Sequence, residues 1–199
     1  MSEAVPALGV MAALVGIADT LPYVRDTLRG ATRPHRGTWL IWGALAILVC
    51  LSQRADGASW SLLMAGTQAV LTTLIFVLSI SRGVGGLSTT DRIMIAIAGG
   101  GVLGWLLAGE PLVATACVVA ADLVAAALMI PKTCRDPDSE TLATFALAGL
   151  SGALAAGAVG SAELSLLLYP VYFALVNGAI ALLIYHRRAV LHGLRHQFQ

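Results

Sequence analysis

Long apolar stretches fill most of this chain, and short polar segments separate them. A helix needs about 20 apolar residues to cross the hydrocarbon core of a bilayer, and the stretches approach or reach that length. Alternation of apolar and polar residues at every second position, the pattern of half-buried strands, does not occur. The pattern therefore predicts an all-α membrane protein with seven transmembrane helices, at 6–27, 38–54, 60–81, 92–108, 111–131, 141–160 and 164–186.

The composition supports this prediction, because 58% of the 199 residues are hydrophobic and only 12% are charged. The mean hydropathy of +0.84 lies well above that of soluble proteins. A net charge of +1 offers no basic surface of the kind that binds nucleic acid. The expected partners are therefore the lipid bilayer and a small polar solute, and the sequence also allows a homo-oligomer.

Basic residues gather at alternate turns between the predicted helices, and the remaining turns carry few of them. They are Arg25, Arg29, Arg33, Arg36, Arg82, Arg92, Lys132, Arg135, Arg187, Arg188 and Arg195. Loops rich in Lys and Arg stay in the cytoplasm. We therefore expect a multi-pass protein of the inner (plasma) membrane, with the N-terminus outside the cell and the C-terminus in the cytoplasm.

Three landmarks recur along the chain in the same order: an intramembrane acid, a proline turn and the threonine that opens the next helix. In the two copies they are Asp19 and Asp122, Pro34 and Pro137, and Thr38 and Thr141. Each pair is separated by 103 residues. The spacing predicts a 3+1+3 parallel repeat, in which a linker helix joins two bundles of three helices.

This layout resembles the PQ-loop superfamily in its seven-helix, SWEET-like form, in particular a bacterial branch of it. The segments that carry the resemblance are LPYVRDTLRGATRPHRGTWLIW and KTCRDPDSETL. The sequence departs from the superfamily at its eponymous Pro-Gln pair, since Pro22 precedes Tyr23 and Pro131 precedes Lys132. The resemblance implies triple-helix bundles at 1–83 and 111–190, a linker helix at 84–110 and a basic cytoplasmic tail at 191–199.

Proteins of this superfamily carry sugars, vitamins or amino acids. The resemblance therefore implies a transporter or facilitator of a small polar solute that works by alternating access between the two bundles. A receptor or scaffold of the same fold that does not transport is the alternative. A membrane enzyme is a weaker alternative, because all four histidines lie at predicted cytoplasmic ends and no catalytic cluster is evident.

The sequence predicts neither a cofactor nor a metal site. His192 and His196 are one helical turn apart, but no third ligand accompanies them. Cys50, Cys117 and Cys134 are scattered along apolar segments and are interpreted as small apolar residues.

The two intramembrane acids, Asp19 and Asp122, are the candidates for gating or proton coupling. A carboxylate at this depth costs a few kcal/mol, on the order of 3, so it should face the interior of the bundle or a cavity. Pro22 leaves the carbonyl of Ala18 without its donor and predicts a kink beside Asp19. The alternative is that each acid only ties its helix to a neighbour by a hydrogen bond.

Polar side chains on two other helices are candidate solute contacts. Gln68 and Thr72 lie one turn apart on the third predicted helix, and Asn177 ends an aromatic stripe that begins at Tyr169 on the seventh. An amide inside a bilayer needs partners, either on another helix or in a ligand. SWEET-type sugar transporters use asparagines on these two helices, so the resemblance implies a solute contact at Asn177.

Aromatic residues complete the predicted site. Trp42 and Phe145 are also 103 residues apart and are predicted to face each other as walls of the solute path. Trp39 opens the second helix, and we expect it in the aromatic belt at the membrane surface.

Overall fold

The structure is a computed structural model that describes residues 4–55, 60–86, 88–107, 111–160, 162 and 164–197. Helices make up nearly all of this part of the chain, with a short 3-10 turn at Pro137–Ser139. The α-helices are α1 (Ala4–Ala18), α2 (Thr20–Leu28), α3 (Arg36–Ala55), α4 (Trp60–Arg82), α5 (Thr89–Leu107), α6 (Pro111–Arg135), α7 (Leu142–Ala158) and α8 (Leu164–Gln197).

The helical fold class is confirmed, and each predicted segment overlaps a helix or, for the first, a pair of helices. Within the described residues, three helices are long and apolar enough to cross a membrane: Val5–Leu28, Ala116–Arg135 and Leu167–Leu191. Ala69–Arg82 and Leu142–Ala158 are shorter apolar helices. The chain therefore has the helices of a membrane protein, while the number of seven spans remains a prediction.

The first apolar helical segment runs through Asp19, which separates α1 from α2 but keeps helical dihedral angles, with φ −63° and ψ −33°. Its amide donates to the carbonyl of Val15, while Pro22 removes the hydrogen bond to the carbonyl of Ala18. The segment ends at Gly30, whose φ of 75° lies in the left-handed region that glycine adopts without strain. The amide of Gly30 donates to the carbonyl of Thr27, which closes the last turn.

We call α1–α4 the first bundle and α6–α8 the second bundle. Within the first, α3 packs on α4, and α1 and α2 also contact α4; within the second, α7 packs on α8, and α6 also contacts α8. Between the bundles, α1 and α2 lie against α7, and α3 lies against α6. Helix α5 packs mainly on α6 and also touches α3.

One end of the molecule carries the turns after α2, α4 and α6, and we call it the basic end. Hydrogen bonds from its cations to backbone carbonyls hold these turns together; the donors are Arg36, Arg82, Lys132, Arg187 and Arg188. A hydrophobic core lies next to it, formed by side chains from both bundles. Its fully buried members include Tyr23, Ile75, Phe145 and Ile184.

Candidate functional site

The two intramembrane acids are both buried, with 5% of Asp19 and 7% of Asp122 exposed. Asp19 accepts a hydrogen bond of 2.8 Å from the hydroxyl of the adjacent Thr20. Asp122 accepts a shorter one, 2.6 Å, from the hydroxyl of Tyr172 on α8. Asp122 thus joins α6 to α8, whereas the described bond of Asp19 stays within its own helix.

The candidate solute contacts are spread over three helices. Asn177 is buried on α8, and its amide donates to the carbonyl of Phe173 one turn earlier at 2.9 Å. Thr72 is buried on α4. Tyr169 is partly exposed and stacks on Phe173, with 5.9 Å between ring centroids. The side chain of Gln68 lies outside the described part of the structure.

A chain of aromatic contacts connects Trp42 with Phe145. Trp42 packs edge-on against Trp39 at 5.1 Å, Trp39 lies 4.7 Å from Tyr23, and Tyr23 packs edge-on against Phe145 at 6.2 Å. These rings belong to one packed cluster, so Trp42 and Phe145 do not face each other across an open path. The prediction that Trp39 lies in an interfacial belt is wrong, since it is buried and its indole donates to the Tyr23 hydroxyl at 3.0 Å.

A fully buried carboxylate, Glu140, contacts this aromatic cluster through Tyr23. It accepts a hydrogen bond of 2.9 Å from the Tyr23 hydroxyl and an ion-paired bond from Lys132. Burial raises the pKa of Glu140, and the positive charge of Lys132 opposes that rise. Tyr23 belongs to the first bundle and Lys132 to the second, so this carboxylate closes the space between the bundles.

A second layer of polar contacts between the bundles lies at the basic end. Arg33 forms an ion pair with Asp136, and its amide donates to the carbonyl of Ser139 at 2.9 Å. The hydroxyls of Thr32 and Thr141 share a hydrogen bond of 2.6 Å. Because Thr141 donates its proton to the carboxylate of Asp26, Thr32 is the donor between the two.

Several buried polar atoms in the described part of the chain lack hydrogen-bond partners. Among the described residues, the indole nitrogen of Trp42 and the hydroxyls of Thr73 and Thr144 make no hydrogen bond. The Trp42 indole does interact with the carboxylate of Asp122, although its geometry is not that of a hydrogen bond. A buried donor without an acceptor costs about 1–3 kcal/mol, so a water or polar ligand beside either threonine hydroxyl would be favourable.

His35 ties the turn between α4 and α5 to the start of α3. Its Nδ1 accepts from the amide of Thr38 at 3.3 Å, so its Nε2 carries the proton and faces the carboxylate of Asp91 at 3.6 Å. Burial lowers the pKa of His35, and the charge of Asp91 opposes that change. Gly85, with a φ of 70°, lies so close to the imidazole that a β-carbon would overlap it.

An open groove of about 630 Å³ lies at the basic end beside His35. Its walls are the last turns of α6 and the segment between α4 and α5. None of the residues predicted to contact solute lines it. Within the described residues there is no group of three potential metal ligands.

The contacts of Glu140 and Lys132 and the roles of Tyr23 and Trp39 were not predicted from the sequence. Tyr23 had one available signal, since it lies one helical turn after Asp19 on the same face. Glu140 directly precedes the repeated landmark Thr141, but it stands in an acidic turn that resembles a solvated loop. Only the packing of the turn against α6 and α8, together with the hydrogen bond from Tyr23 of α2, reveals that Glu140 is buried.

Comparison with protein-family models, with characterised proteins and with solved structures gives no match.

Proposed function

We propose that this chain is a transporter or facilitator of a small polar solute, with a SWEET-like arrangement of seven spans. The N-terminus lies outside the cell, and the basic end faces the cytoplasm. In this proposal the bundles alternate between two arrangements, and the described one is closed at the cytoplasmic side. The observation that carries the proposal is the polar layer between the bundles, in which Arg33, Asp136, Tyr23 and Glu140 take part.

The contacts between helices support a repeat. The first bundle has the spans α1 with α2, α3 and α4, and the second has α6, α7 and α8. If each span is replaced by its counterpart in the other bundle, every contact between these spans becomes another observed contact. The contact of α1 with α7 becomes that of α6 with α3, and the contact of α3 with α4 becomes that of α7 with α8. This is the pattern that a twofold axis along the membrane normal would produce.

The ion pair of Arg33 with Asp136 supports the same axis. These two residues are 103 positions apart, the separation of the repeated landmarks. Two equivalent residues of a twofold arrangement touch each other only beside the axis. The axis of the proposed repeat therefore passes next to this pair, which is where a gate between two moving bundles is effective.

In the proposed mechanism the solute binds on the far side of the aromatic cluster from the polar layer. Asn177, Thr72, Gln68 and Tyr169 are the proposed contacts, with Trp42 and Phe145 at the end of the path. The indole nitrogen of Trp42, which faces the carboxylate of Asp122 without a well-formed hydrogen bond, is the proposed donor to a solute oxygen. Asp19 and Asp122 act in gating or carry a proton, and the hydrogen bond that Pro22 removes lets α1 move relative to α2.

The gate is testable with a chemical lock. Cys50, Cys117 and Cys134 are first replaced by serine, and Arg33→Cys and Asp136→Cys are then introduced together. The protein is reconstituted into liposomes and screened for uptake of sugars, nucleosides, vitamins and amino acids. A short reducible thiol cross-linker should stop uptake, and reduction should restore it.

The matched control places the same cross-link within the first bundle, at Leu28→Cys and Arg82→Cys, whose parent residues share a hydrogen bond. This link should leave uptake intact. A solute that stabilises the protein against heat but is never accumulated would reject transport and favour a receptor. A reporter fused after Gln199 tests orientation separately, since an extracellular signal contradicts the proposed topology.

The role of Asp19 is testable with Asp19→Asn, which keeps the shape of the side chain but cannot titrate. If Asp19 carries a proton, the variant folds normally and its uptake loses its dependence on pH. Wild-type uptake with an unchanged pH profile would remove Asp19 from the mechanism and leave it a structural residue.

A further inference from the structure

The groove at the basic end has the chemistry of a lipid site. The wall that α6 forms is apolar at Ala127, Leu128 and Pro131 and becomes positively charged at Lys132 and Arg135. Residues 127, 131 and 135 are spaced four apart, so they form one stripe on the helix, and all three are exposed. An apolar stripe that ends in a cation at the membrane surface matches an acyl chain joined to an anionic headgroup.

The opposite wall supplies hydrogen-bond donors for such a headgroup. Ser88 and Thr90 lie at the start of α5, and both are exposed in the groove. The hydroxyl oxygen of Ser88 accepts from the amide of Asp91, which leaves its proton to donate elsewhere. The first amides of a helix add a partial positive charge at this place.

The two carboxylates that line the groove are already engaged. Asp136 is paired with Arg33, and Asp91 faces His35 and accepts bonds from the amides of Gly86 and Ser88. Burial opposes the ionisation of Asp91, but these bonds outweigh it, and the pKa of Asp91 is lowered. Arg33 compensates the charge of Asp136, and Asp91 stays a carboxylate held by these amides on the wall opposite α6, so one cation of the α6 wall keeps no acid of its own.

Arg135 is that remaining cation. Within the described residues it takes part in no ion pair and no hydrogen bond, whereas Lys132 is held by Glu140 and Arg33 by Asp136. A guanidinium binds phosphate oxygens through two parallel hydrogen bonds, which gives both strength and orientation.

We propose that this groove binds an anionic phospholipid from the cytoplasmic leaflet, with its phosphate on Arg135 and the hydroxyls of Ser88 and Thr90. One acyl chain lies along Ala127 and Pro131. The lipid contacts α6 and the segment between α4 and α5, so it fastens the linker helix to the second bundle. This site depends on the chain spanning a membrane and is independent of transport.

Native mass spectrometry of the full chain in a neutral detergent tests the proposal. The probes are phosphatidylglycerol and phosphatidylcholine with identical acyl chains. Wild-type protein should retain phosphatidylglycerol preferentially, and Arg135→Gln should weaken that retention about tenfold, the factor that corresponds to one lost charge-assisted contact of about 1.4 kcal/mol. Arg29→Gln is the matched control, because Arg29 is an exposed cation at the same end but outside the groove.

A second variant separates a lipid from free phosphate. Ala127→Trp fills the apolar part of the groove at an exposed position, so it should weaken retention of phosphatidylglycerol without unfolding the protein. Displacement of the lipid by inorganic phosphate, with no effect of Ala127→Trp, would overturn the lipid source. Equal losses in Arg135→Gln and Arg29→Gln, or equal retention of the two lipids by wild type, would overturn the site itself.

Discussion

At their glycine contacts, α7 and α8 of the second bundle approach each other more closely than α3 and α4 of the first bundle do. A β-carbon at Gly152 would lie 2.6 Å from the amide nitrogen of Ala174, but one at Gly43 would lie 3.8 Å from the α-carbon of Thr73. The buried acids differ in the same direction. Asp122 is bonded across to α8, while Asp19 is bonded to its neighbour in sequence.

These differences in packing predict that the two bundles differ in how readily they change shape. Close backbone packing and a hydrogen bond between helices leave the second bundle few ways to rearrange. The first bundle contains Pro22, which leaves the carbonyl of Ala18 without its helical donor, and an acid without a described bond to another helix. In the proposed cycle the second bundle is therefore the rigid body, and the first bundle changes shape.

The largest expected effect comes from adding one methyl group to the close contact of α7 and α8. Gly152→Ala forces the backbones of the two helices apart, and we expect a loss of about 1–3 kcal/mol in the free energy of unfolding. Gly43→Ala makes an ordinary contact and should change it little. Titration with a denaturing detergent, followed by circular dichroism, measures the free energy of unfolding of both variants. Equal losses would contradict the closer packing of the second bundle.

The next effect concerns the hydrogen bond between α6 and α8. Tyr172→Phe leaves the buried Asp122 without its donor and should cost about 1–2 kcal/mol in the free energy of unfolding. Tyr169→Phe is the control, because the hydroxyl of Tyr169 bonds to no described residue, and its effect should stay within about 0.5 kcal/mol. A neutral Tyr172→Phe would show that Asp122 does not hold these helices together.

A pH dependence should report on the closure between the bundles. Burial raises the pKa of Glu140 in the closed arrangement, so closure is fully favoured below the ordinary value of 4.5 and weakens as the pH rises through the raised pKa. Spin labels at Leu28→Cys and Ala143→Cys, both exposed at the basic end, measure the separation by pulsed electron paramagnetic resonance. Acid should narrow the distance distribution.

Two variants of this labelled protein identify the titrating residue. Glu140→Gln should abolish the pH dependence. Tyr23→Phe removes a hydrogen bond that lowers the pKa of Glu140, so it should move the transition to higher pH. A pH response that survives Glu140→Gln unchanged would assign the closure to another residue.

The smallest effect on the free energy of unfolding should come from a hydrogen bond between arginine and a backbone carbonyl that occurs in both bundles. Arg82 donates to the carbonyl of Leu28, and Arg187 donates twice to the carbonyl of Cys134, which ties the third span of each bundle to the end of its first. We expect Arg187→Gln to cost about 1 kcal/mol and Arg82→Gln about half as much. The reverse order, measured by detergent titration, would contradict the ranking.

Hydropathy predicted the helices well, because an apolar stretch of that length has few alternatives in a bilayer. The kink expected beside Asp19 rests on the missing amide of Pro22 and remains a prediction. Hydropathy could not predict which side of a helix meets another bundle. Trp39 was therefore assigned to the membrane surface, although its indole bonds to Tyr23 in the core.

The site was harder to predict than the helices, because its polar groups come from turns. Glu140 and Lys132 looked like charges of a solvated loop, and their burial depends on how α2, α6 and α8 converge. Asn177, Thr72 and Asp122 were predicted because they are polar residues within apolar helices, with the resemblance adding to Asn177 and the 103-residue repeat to Asp122. All three are buried, as expected, but their role in binding or moving a solute remains a prediction.

The ion pair beside the proposed axis bears on the ancestry of the chain. In a dimer of two identical half-length proteins, the positions of Arg33 and Asp136 would hold the same residue, and equal charges would face each other. Opposite charges on a twofold axis require two copies that mutate independently. If the proposed repeat is correct, fusion of duplicated genes made this ion pair possible. A symmetric dimer of half-length subunits would need another contact to hold its two bundles together at this end.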